Sequence, residues 1–380
     1  METRDFTSKE RMLAALNLEE PDLVPVAPYV SSHYTPKVMG LRISDWVLGD
    51  IEDKVKMALH AYRYHRYDWI LTGLNKPKGW KDQAVIKDRG TFFEVIESHK
   101  ETGQKITWKV PKDEAPFYQT GDLTLENAIE ILDREITSSD EIIVDGRCHL
   151  AQRLVEEVGD EILVTGILGV PFGEVGCRLG LQTTLISLFH NPDMIKEAAE
   201  LCTQRYIEEA KALKEVGVEA FWLEEVFAGT DTISPAQFEK FSLPYAQKLV
   251  SDIRKIKMKS IFYFCGAPMQ ILDSLLTINA EALAFEEDKK GFKIDMKLIR
   301  ERTKGKFCLF GNFDAMYTLR STPQEIEAKV QKMIEELAPD GGFILGTGSP
   351  VLQNVPPANL EAMIRSARRD GRYPIHTSIK

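Results

Sequence analysis

Short apolar runs alternate with amphipathic segments along the 380-residue chain. Eight runs are apolar on both faces, as strands of a covered parallel sheet must be. They begin at Val24, Asp68, Leu163, Glu219, Ser260, Ala282, Phe307 and Gly342. Helical patterns separate the later runs at regular spacing, and eight strands with right-handed helical crossovers close into a barrel. The pattern therefore predicts the α/β class and a (β/α)8 TIM barrel.

Two helix starts are marked by capping boxes with proline at the first helical position. One is "STPQEI", with the box from Thr322 to Glu325, and the other is "SPAQF", with the box from Ser234 to Gln237. Both follow apolar runs. They predict helices that return the chain to the start of the next barrel strand.

The segment of about residues 74–160 is too long for one strand-to-strand connection. Its alternating stretch "AVIKDRGTFFEVIESHKETGQKITWKV" predicts a β-hairpin built around Glu101-Thr102-Gly103. We therefore expect one TIM-barrel domain over residues 1–380. The segment would be an insertion that forms a lid or wall over one barrel mouth.

Composition narrows the range of partners. A hydrophobic content of 43%, a charged content of 28% and a net charge of -10 describe a globular protein without the basic face that nucleic acid requires. We find no apolar stretch of the roughly 20 residues that would span a bilayer, and the first residues lack the apolar core of a secretory signal. These features predict a cytoplasmic protein with a small-molecule or protein partner.

Polar residues at the carboxyl ends of the predicted strands define the candidate site, because barrel enzymes place their reacting groups there. They are Glu174, Glu224, Glu225, Tyr263, Cys265, Glu286, Glu287, Asp288, Asn312, Asp314, Thr347 and Ser349. The set contains no lysine, arginine or histidine, which disfavours a sugar-phosphate site and a Ser-His-Asp triad. The one histidine at a strand end is His33, which follows the first predicted strand. Acidic residues at strand ends also cap helices or pair with neighbours, so structural roles stay open for each of them.

Five segments resemble, in this order, the uroporphyrinogen decarboxylase superfamily from about Val24 to Tyr373. They are "GVPFGEV", "LEEVFAGTDTISPAQFEKFSLPY", "FYFCGAP", "FGNFDAMYTLRSTPQEI" and "ILGTGSPVLQNVPPANLEAMIRSARRDGRY". The resemblance implies a TIM barrel with one of two activities. One is decarboxylation of a porphyrinogen, and the other is exchange of a methyl group with a corrinoid protein.

The methyltransferase branch is the closer match. The decarboxylases carry an R-Q-A-G-R motif near the first strand, where this chain reads "VPVAPYVSSHYTPK", and their last-loop histidine falls on Thr347. The thiol-methylating members bind zinc through an H-x-C motif and a later cysteine, which map to Tyr263, Cys265 and Ser349. One zinc ligand of three remains, and catalytic zinc needs three good ligands. The resemblance therefore implies a member without zinc.

Zinc would hold a thiol acceptor as its reactive thiolate, so its loss disfavours a thiol. We expect a partner corrinoid protein to present methyl-cob(III)alamin and the N5 amine of tetrahydrofolate to accept the methyl group, in a bacterial or archaeal demethylation pathway. The residues expected to act on the reacting groups are Asn312, Asp314 and Tyr263, and those expected to bind substrate are Glu174, Glu225, Cys265, Thr347, Ser349 and His33. The alternatives are a zinc-dependent methylcobalamin:thiol methyltransferase, a uroporphyrinogen decarboxylase, and a barrel that only docks a corrinoid protein.

Overall fold

The computed structural model of the protein describes residues 5–98, 105–114, 121–289 and 291–375. The strands are β1 (Trp69–Thr72), β2 (Val85–Asp88), β3 (Phe92–Ser98), β4 (Lys105–Pro111), β5 (Leu163–Gly169), β6 (Ala220–Glu225), β7 (Lys259–Phe264), β8 (Ala282–Phe285), β9 (Cys308–Phe310) and β10 (Phe343–Ile344). The helices are α1 (Ser8–Leu16), α2 (Ile43–Leu48), α3 (Ile51–His65), α4 (Ala128–Arg134), α5 (Ser139–Val144), α6 (His149–Val158), α7 (Pro171–Leu179), α8 (Leu181–His190), α9 (Pro192–Glu215), α10 (Pro235–Phe241), α11 (Leu243–Lys255), α12 (Leu272–Leu276), α13 (Met296–Thr303), α14 (Ala315–Arg320), α15 (Pro323–Leu337) and α16 (Pro357–Asp370).

Seven parallel strands form one curved sheet in the order β1-β5-β6-β7-β8-β9-β10. The eighth position belongs to the irregular segment of residues 24–30. Val26 forms a parallel bridge with Leu345, next to β10. The carbonyl oxygen of Val26 accepts the backbone N–H of Asp68, next to β1. The segment thus joins the two edges, and the predicted barrel is confirmed.

The first predicted strand was wrong in one respect, since residues 24–30 form no continuous ladder. Pro25 and Pro28 have no N–H to donate, which confines them to irregular or edge backbone. The Asp68 carboxylate completes the join, because its Oδ2 accepts the Val26 N–H at 2.7 Å. Arg11 and Arg368 in turn hold the other oxygen of this buried carboxylate.

Aromatic side chains fill the barrel interior beneath the mouth. The Trp222 ring lies 5.2 Å from Trp69, 5.2 Å from Phe310 and 4.6 Å from Tyr263, centroid to centroid. Such edge-to-face and stacked pairs add to the stabilisation from apolar burial. The barrel interior beneath the mouth is therefore a packed core.

Both predicted capping boxes are confirmed. Thr322 Oγ1 accepts the Glu325 N–H at 3.3 Å while the Glu325 carboxylate accepts the Thr322 N–H at 2.8 Å, and Ser234 and Gln237 cap α10 in the same way. All five cysteines are free. Within the ranges that the structure describes, no helix has the length and apolar character needed to cross a membrane.

The inserted segment carries an antiparallel sheet in the order β2-β3-β4. The sheet has one strand more than the predicted hairpin, and the predicted turn at residues 101–103 lies outside the described residues. Ser44 N donates to Lys112 O at 3.3 Å and Lys37 pairs with Asp113 at 2.8 Å, so β4 is attached to the chain that follows residues 24–30. Farther along, α6 packs against α3 and β5 and belongs to the helical layer of the barrel.

Candidate active site

A cavity of about 740 Å³ lies at the carboxyl ends of β1, β5, β6 and β7, under residues 29–35. Much of its wall is aromatic, from Tyr29, Trp46, Tyr67, Trp69, Tyr206, Phe227 and Tyr263. The polar side chains that interrupt that wall include His33, Thr72, Asn75, Glu174, Glu224 and Cys265. An apolar concavity with a small number of placed polar groups is the usual form of a small-molecule site.

Glu224 is the carboxylate of β6 that reaches this cavity. Its Oε1 accepts a hydrogen bond from the Tyr29 hydroxyl and another, at 2.8 Å, from Trp222 Nε1. Burial raises the pKa of Glu224, against the two donors that lower it. Sequence reasoning favoured its neighbour Glu225. The alternation of side chains along a strand could have identified Glu224, because residues 222 and 224 point to the same face. A large aromatic side chain such as Trp222 indicates that this face is the barrel interior.

Glu225 faces away from the cavity, toward the helical layer. It is 0% exposed, its Oε2 accepts the Ser242 hydroxyl at 2.9 Å, and its Oε1 accepts the Phe227 N–H at 3.3 Å. Burial raises its pKa to about 7. The predicted contact between Glu225 and substrate thus has no support in the lining of the cavity.

Glu174 lies in the first turn of α7, at the cavity wall. Arg205 donates to its Oε1 at 2.6 Å and the Tyr206 hydroxyl donates to its Oε2 at 2.8 Å. Burial opposes ionisation, but the Arg205 guanidinium outweighs it and lowers the pKa of Glu174. Both oxygens thus have partners from α9, and this carboxylate is held as an anion.

Tyr263 and Cys265 belong to β7 and the turn after it, and both line the cavity. The Tyr263 hydroxyl donates to Gly348 O at 2.6 Å, which ties β7 to the loop after β10. Burial, with the Cys265 sulfur nearby, raises the pKa of Tyr263, and burial raises the pKa of the Cys265 thiol. Both groups are therefore neutral near pH 7.

Ser349 and Thr347 lie after β10 and do not line the cavity. Thr347 Oγ1 accepts the Tyr29 N–H at 3.0 Å, a contact that holds the start of residues 29–35 over the cavity. Ser349 Oγ donates to Glu287 Oε1 at 3.0 Å, and Lys289 Nζ donates to Ser349 Oγ at 3.3 Å. The sequence analysis placed no lysine or arginine at the carboxyl ends of the strands, and this was wrong. The chain after β8 brings Lys289 into contact with Ser349 there.

Asn312 and Asp314 also lie outside the cavity lining. Asn312 Nδ2 donates to the backbone carbonyl of Glu286 at 2.9 Å. Asp314 is the N-cap of α14, where its Oδ1 accepts the N–H groups of Met316 at 2.8 Å and Tyr317 at 3.0 Å. These contacts are structural, and the catalytic roles of the two residues stay predictions.

Two buried polar atoms of the cavity wall have no partner among the described residues: His33 Nε2 and Thr72 Oγ1. Thr72 is 3% exposed, and burial lowers the pKa of His33, which keeps its imidazole neutral. A buried polar atom without a partner is costly. A ligand with polar edges would relieve that cost at both atoms.

The positions that align with the zinc ligands carry a phenol at Tyr263, a thiol at Cys265 and a hydroxyl at Ser349. No group of three or more His, Cys, Asp or Glu side chains in the described part of the chain is arranged to hold a metal ion. The Tyr263 hydroxyl is engaged by Gly348 and the Ser349 hydroxyl by Glu287. The donor set therefore does not fit catalytic zinc, which requires three strong ligands and an open position.

Comparison with known proteins places these features in a family. Residues 110–369 match the family model described as "Uroporphyrinogen decarboxylase (URO-D)". The methylcobamide:CoM methyltransferase MtbA of Methanosarcina mazei is 24% identical over 57% of this chain and 60% of its own length. A uroporphyrinogen decarboxylase of Ralstonia pickettii is 24% identical over 60% of this chain and 63% of its own length. These relatives are thus matched over less than two thirds of their length.

Two other relatives are matched almost end to end. The methylcobamide:CoM methyltransferase MtaA of Methanosarcina barkeri is 24% identical over 97% of this chain and 99% of its own. A solved structure titled "methyltransferase from Methanosarcina mazei" superposes with a TM-score of 0.71 at 20% identity, over 96% of this chain and 99% of its own. At that identity the superposition shows the fold, and the sequence matches confirm the resemblance seen in the motifs.

Proposed function

Since the chain belongs to the uroporphyrinogen decarboxylase (URO-D) family, we propose that it is the corrinoid-dependent type of methyltransferase within that family. The observation that carries the proposal is the cavity at the carboxyl ends of the strands, in a chain that aligns over 97% of its length with a methylcobamide:CoM methyltransferase. A corrinoid protein would dock at this mouth and present its methyl group to a small molecule held in the cavity.

The charges around the cavity argue against a porphyrinogen, which carries many carboxylates. Arg178 and Arg205 pack behind the wall, but Glu135 and Glu174 already pair with them. Lys54 donates to the wall residue Asn75 at 2.9 Å, and burial lowers the pKa of this lysine to about 8. One such ammonium cannot neutralise a polyanion.

The acceptor we propose is the N5 amine of tetrahydrofolate. A pterin is flat and carries N–H donors and acceptors along its edge, which suits an aromatic cavity with a carboxylate at Glu224 and unpartnered polar atoms at His33 and Thr72. Its N5 lone pair is free at neutral pH, so no Lewis acid is needed. Asn312 and Asp314 do not line the cavity, so they would act on the acceptor through the loops that they stabilise.

A second acceptor is supported by the relatives whose names include coenzyme M. Coenzyme M is a thiol with one sulfonate, and the Lys54 ammonium beside Asn75 fits a single anionic group. Against it, the wall carboxylates Glu174 and Glu224 would repel an anion, and the donor set does not fit the zinc that would hold a thiolate.

An anoxic assay separates these acceptors. Protein is mixed with free methylcobalamin and either tetrahydrofolate or coenzyme M, and the appearance of cob(I)alamin is followed by its absorbance. We expect cob(I)alamin and methyl-tetrahydrofolate with the folate. Cob(I)alamin with coenzyme M alone would replace the proposed acceptor by the thiol. Conversion of uroporphyrinogen to coproporphyrinogen, with no methyl transfer, would contradict the proposed function itself.

A further inference from the structure

We propose that the Glu224 carboxylate accepts the proton that the acceptor releases when it is methylated, which makes Glu224 a catalytic residue. The inference rests on the proposed function and deepens it. Methylation of a secondary amine such as N5 creates an ammonium, and the N–H proton must leave before a neutral methylamine product can dissociate. A base within the cavity supplies that path.

The position of Glu224 suits this role. It lies at the carboxyl end of β6, its side chain lines the cavity, and both hydrogen bonds described for its carboxyl group end on Oε1. Tyr29 and Trp222 therefore fix the plane of the carboxyl group while Oε2 takes no part in those bonds. Glu174, the other wall carboxylate, is held by Arg205 and Tyr206 on both oxygens and is a poor base.

The surroundings of Glu224 tune its affinity for a proton. Among the residues that the structure describes, the titratable side chains that interact with it include Tyr29 of residues 29–35, Tyr263 and Cys265 of β7 and its turn, and Cys177 of α7. Burial raises the pKa of Glu224 above that of an exposed glutamate, whereas the hydrogen bonds from Tyr29 and Trp222 lower it. A raised pKa makes the carboxylate a stronger base toward the proton of a bound acceptor.

The N5 lone pair attacks the methyl carbon, and the new C–N bond forms as the Co–C bond breaks with both electrons left on cobalt. The N5–H bond then breaks, its electrons stay on nitrogen, and the proton forms an O–H bond with Glu224. A thiol acceptor would release its S–H proton to the same carboxylate.

The experiment is a single-turnover assay with free methylcobalamin and tetrahydrofolate over a range of pH. Glu224→Gln keeps the shape and the hydrogen-bond acceptor but cannot take up a proton. We expect its rate to fall by about 10²–10⁴-fold while the dissociation constant of tetrahydrofolate changes little. Glu219→Gln is the matched control, since Glu219 precedes β6 at the opposite end and pairs with Lys9 on the surface.

Tyr29→Phe supplies a readout that a structural role would not change. Loss of the hydroxyl donor destabilises the carboxylate, so the midpoint of the pH–rate profile should move up by about one unit. A Glu224→Gln rate within a few-fold of the wild type, or an unmoved midpoint in Tyr29→Phe, would overturn the inference and leave the proposed function intact. A wild-type protein that transfers no methyl to either acceptor would remove both.

Discussion

At the scale of single residues, the two adjacent carboxyl groups of β6 have different environments. Glu224 borders the cavity, whereas Glu225 is buried against Ser242 in the helical layer. Alternation along a strand sends neighbouring side chains to opposite faces. One carboxyl group is thus available to a ligand, and the other affects the stability of the fold.

We predict that Glu225 makes the protein less stable as the pH rises. Burial raises the pKa of Glu225 from 4.5 to about 7, so between these values the folded state keeps a proton that the unfolded state has lost. The free energy of unfolding should fall across that window by on the order of 3 kcal/mol. Urea unfolding of the wild type and Glu225→Gln at pH 5 and pH 8 measures the difference. A difference that does not depend on pH would contradict it.

Asp314 is predicted to stabilise α14. Asp314→Ala removes the acceptor for the Met316 and Tyr317 N–H groups and should lower the free energy of unfolding by about 1 kcal/mol. Asp314→Asn keeps a cap oxygen and should retain most of the stability. Denaturant unfolding checks both variants, and an equal loss in the two would show that the charge, and not the cap, matters.

At the scale of elements, the loop after β10 fits tightly against the loop after β8. A Cβ atom added at Gly348 would lie 2.3 Å from the backbone nitrogen of Glu287, and Tyr263 donates to the Gly348 carbonyl. The loops after β8 and β10 are thus so close at Gly348 that no side chain fits there.

Gly348→Ala should therefore destabilise the protein by about 1–3 kcal/mol, because backbone atoms must move to admit the methyl group. Gly291→Ala is the control, since an added Cβ there meets nothing within 4 Å. The two midpoints of thermal unfolding give the comparison. Equal midpoints would mean that the loop after β8 yields at little cost.

At the scale of the whole molecule, the cavity at the mouth of the barrel is the place where we propose that the acceptor meets the corrinoid. The thiol-methylating members that the chain resembles bind zinc there, but the side chains at Tyr263, Cys265 and Ser349 do not fit it. We predict far less than one zinc per chain in protein purified without chelator, by elemental analysis. One zinc per chain that disappears in Cys265→Ala would support the thiol methyltransferase instead.

The sequence predicted the barrel well because apolar strands and helix caps are local signals. The capping boxes at Thr322 and Ser234 and seven of the eight strands were found in this way. The first strand was not, since the prolines of residues 24–30 leave only a bridge at Val26. The sequence could not tell which strand-end residues line the cavity, because strand-end position does not say which way a side chain points.

What the sequence determined alone was the fold and the family, since both depend on residue type and order. What only the tertiary structure decided was the composition of the cavity. It brought together Tyr29, Glu224 and Tyr263, and it placed Asp314 at the start of α14 and Glu225 against Ser242. The physical reason is that a cavity is made by side chains from distant segments, and their directions are fixed only when the barrel closes.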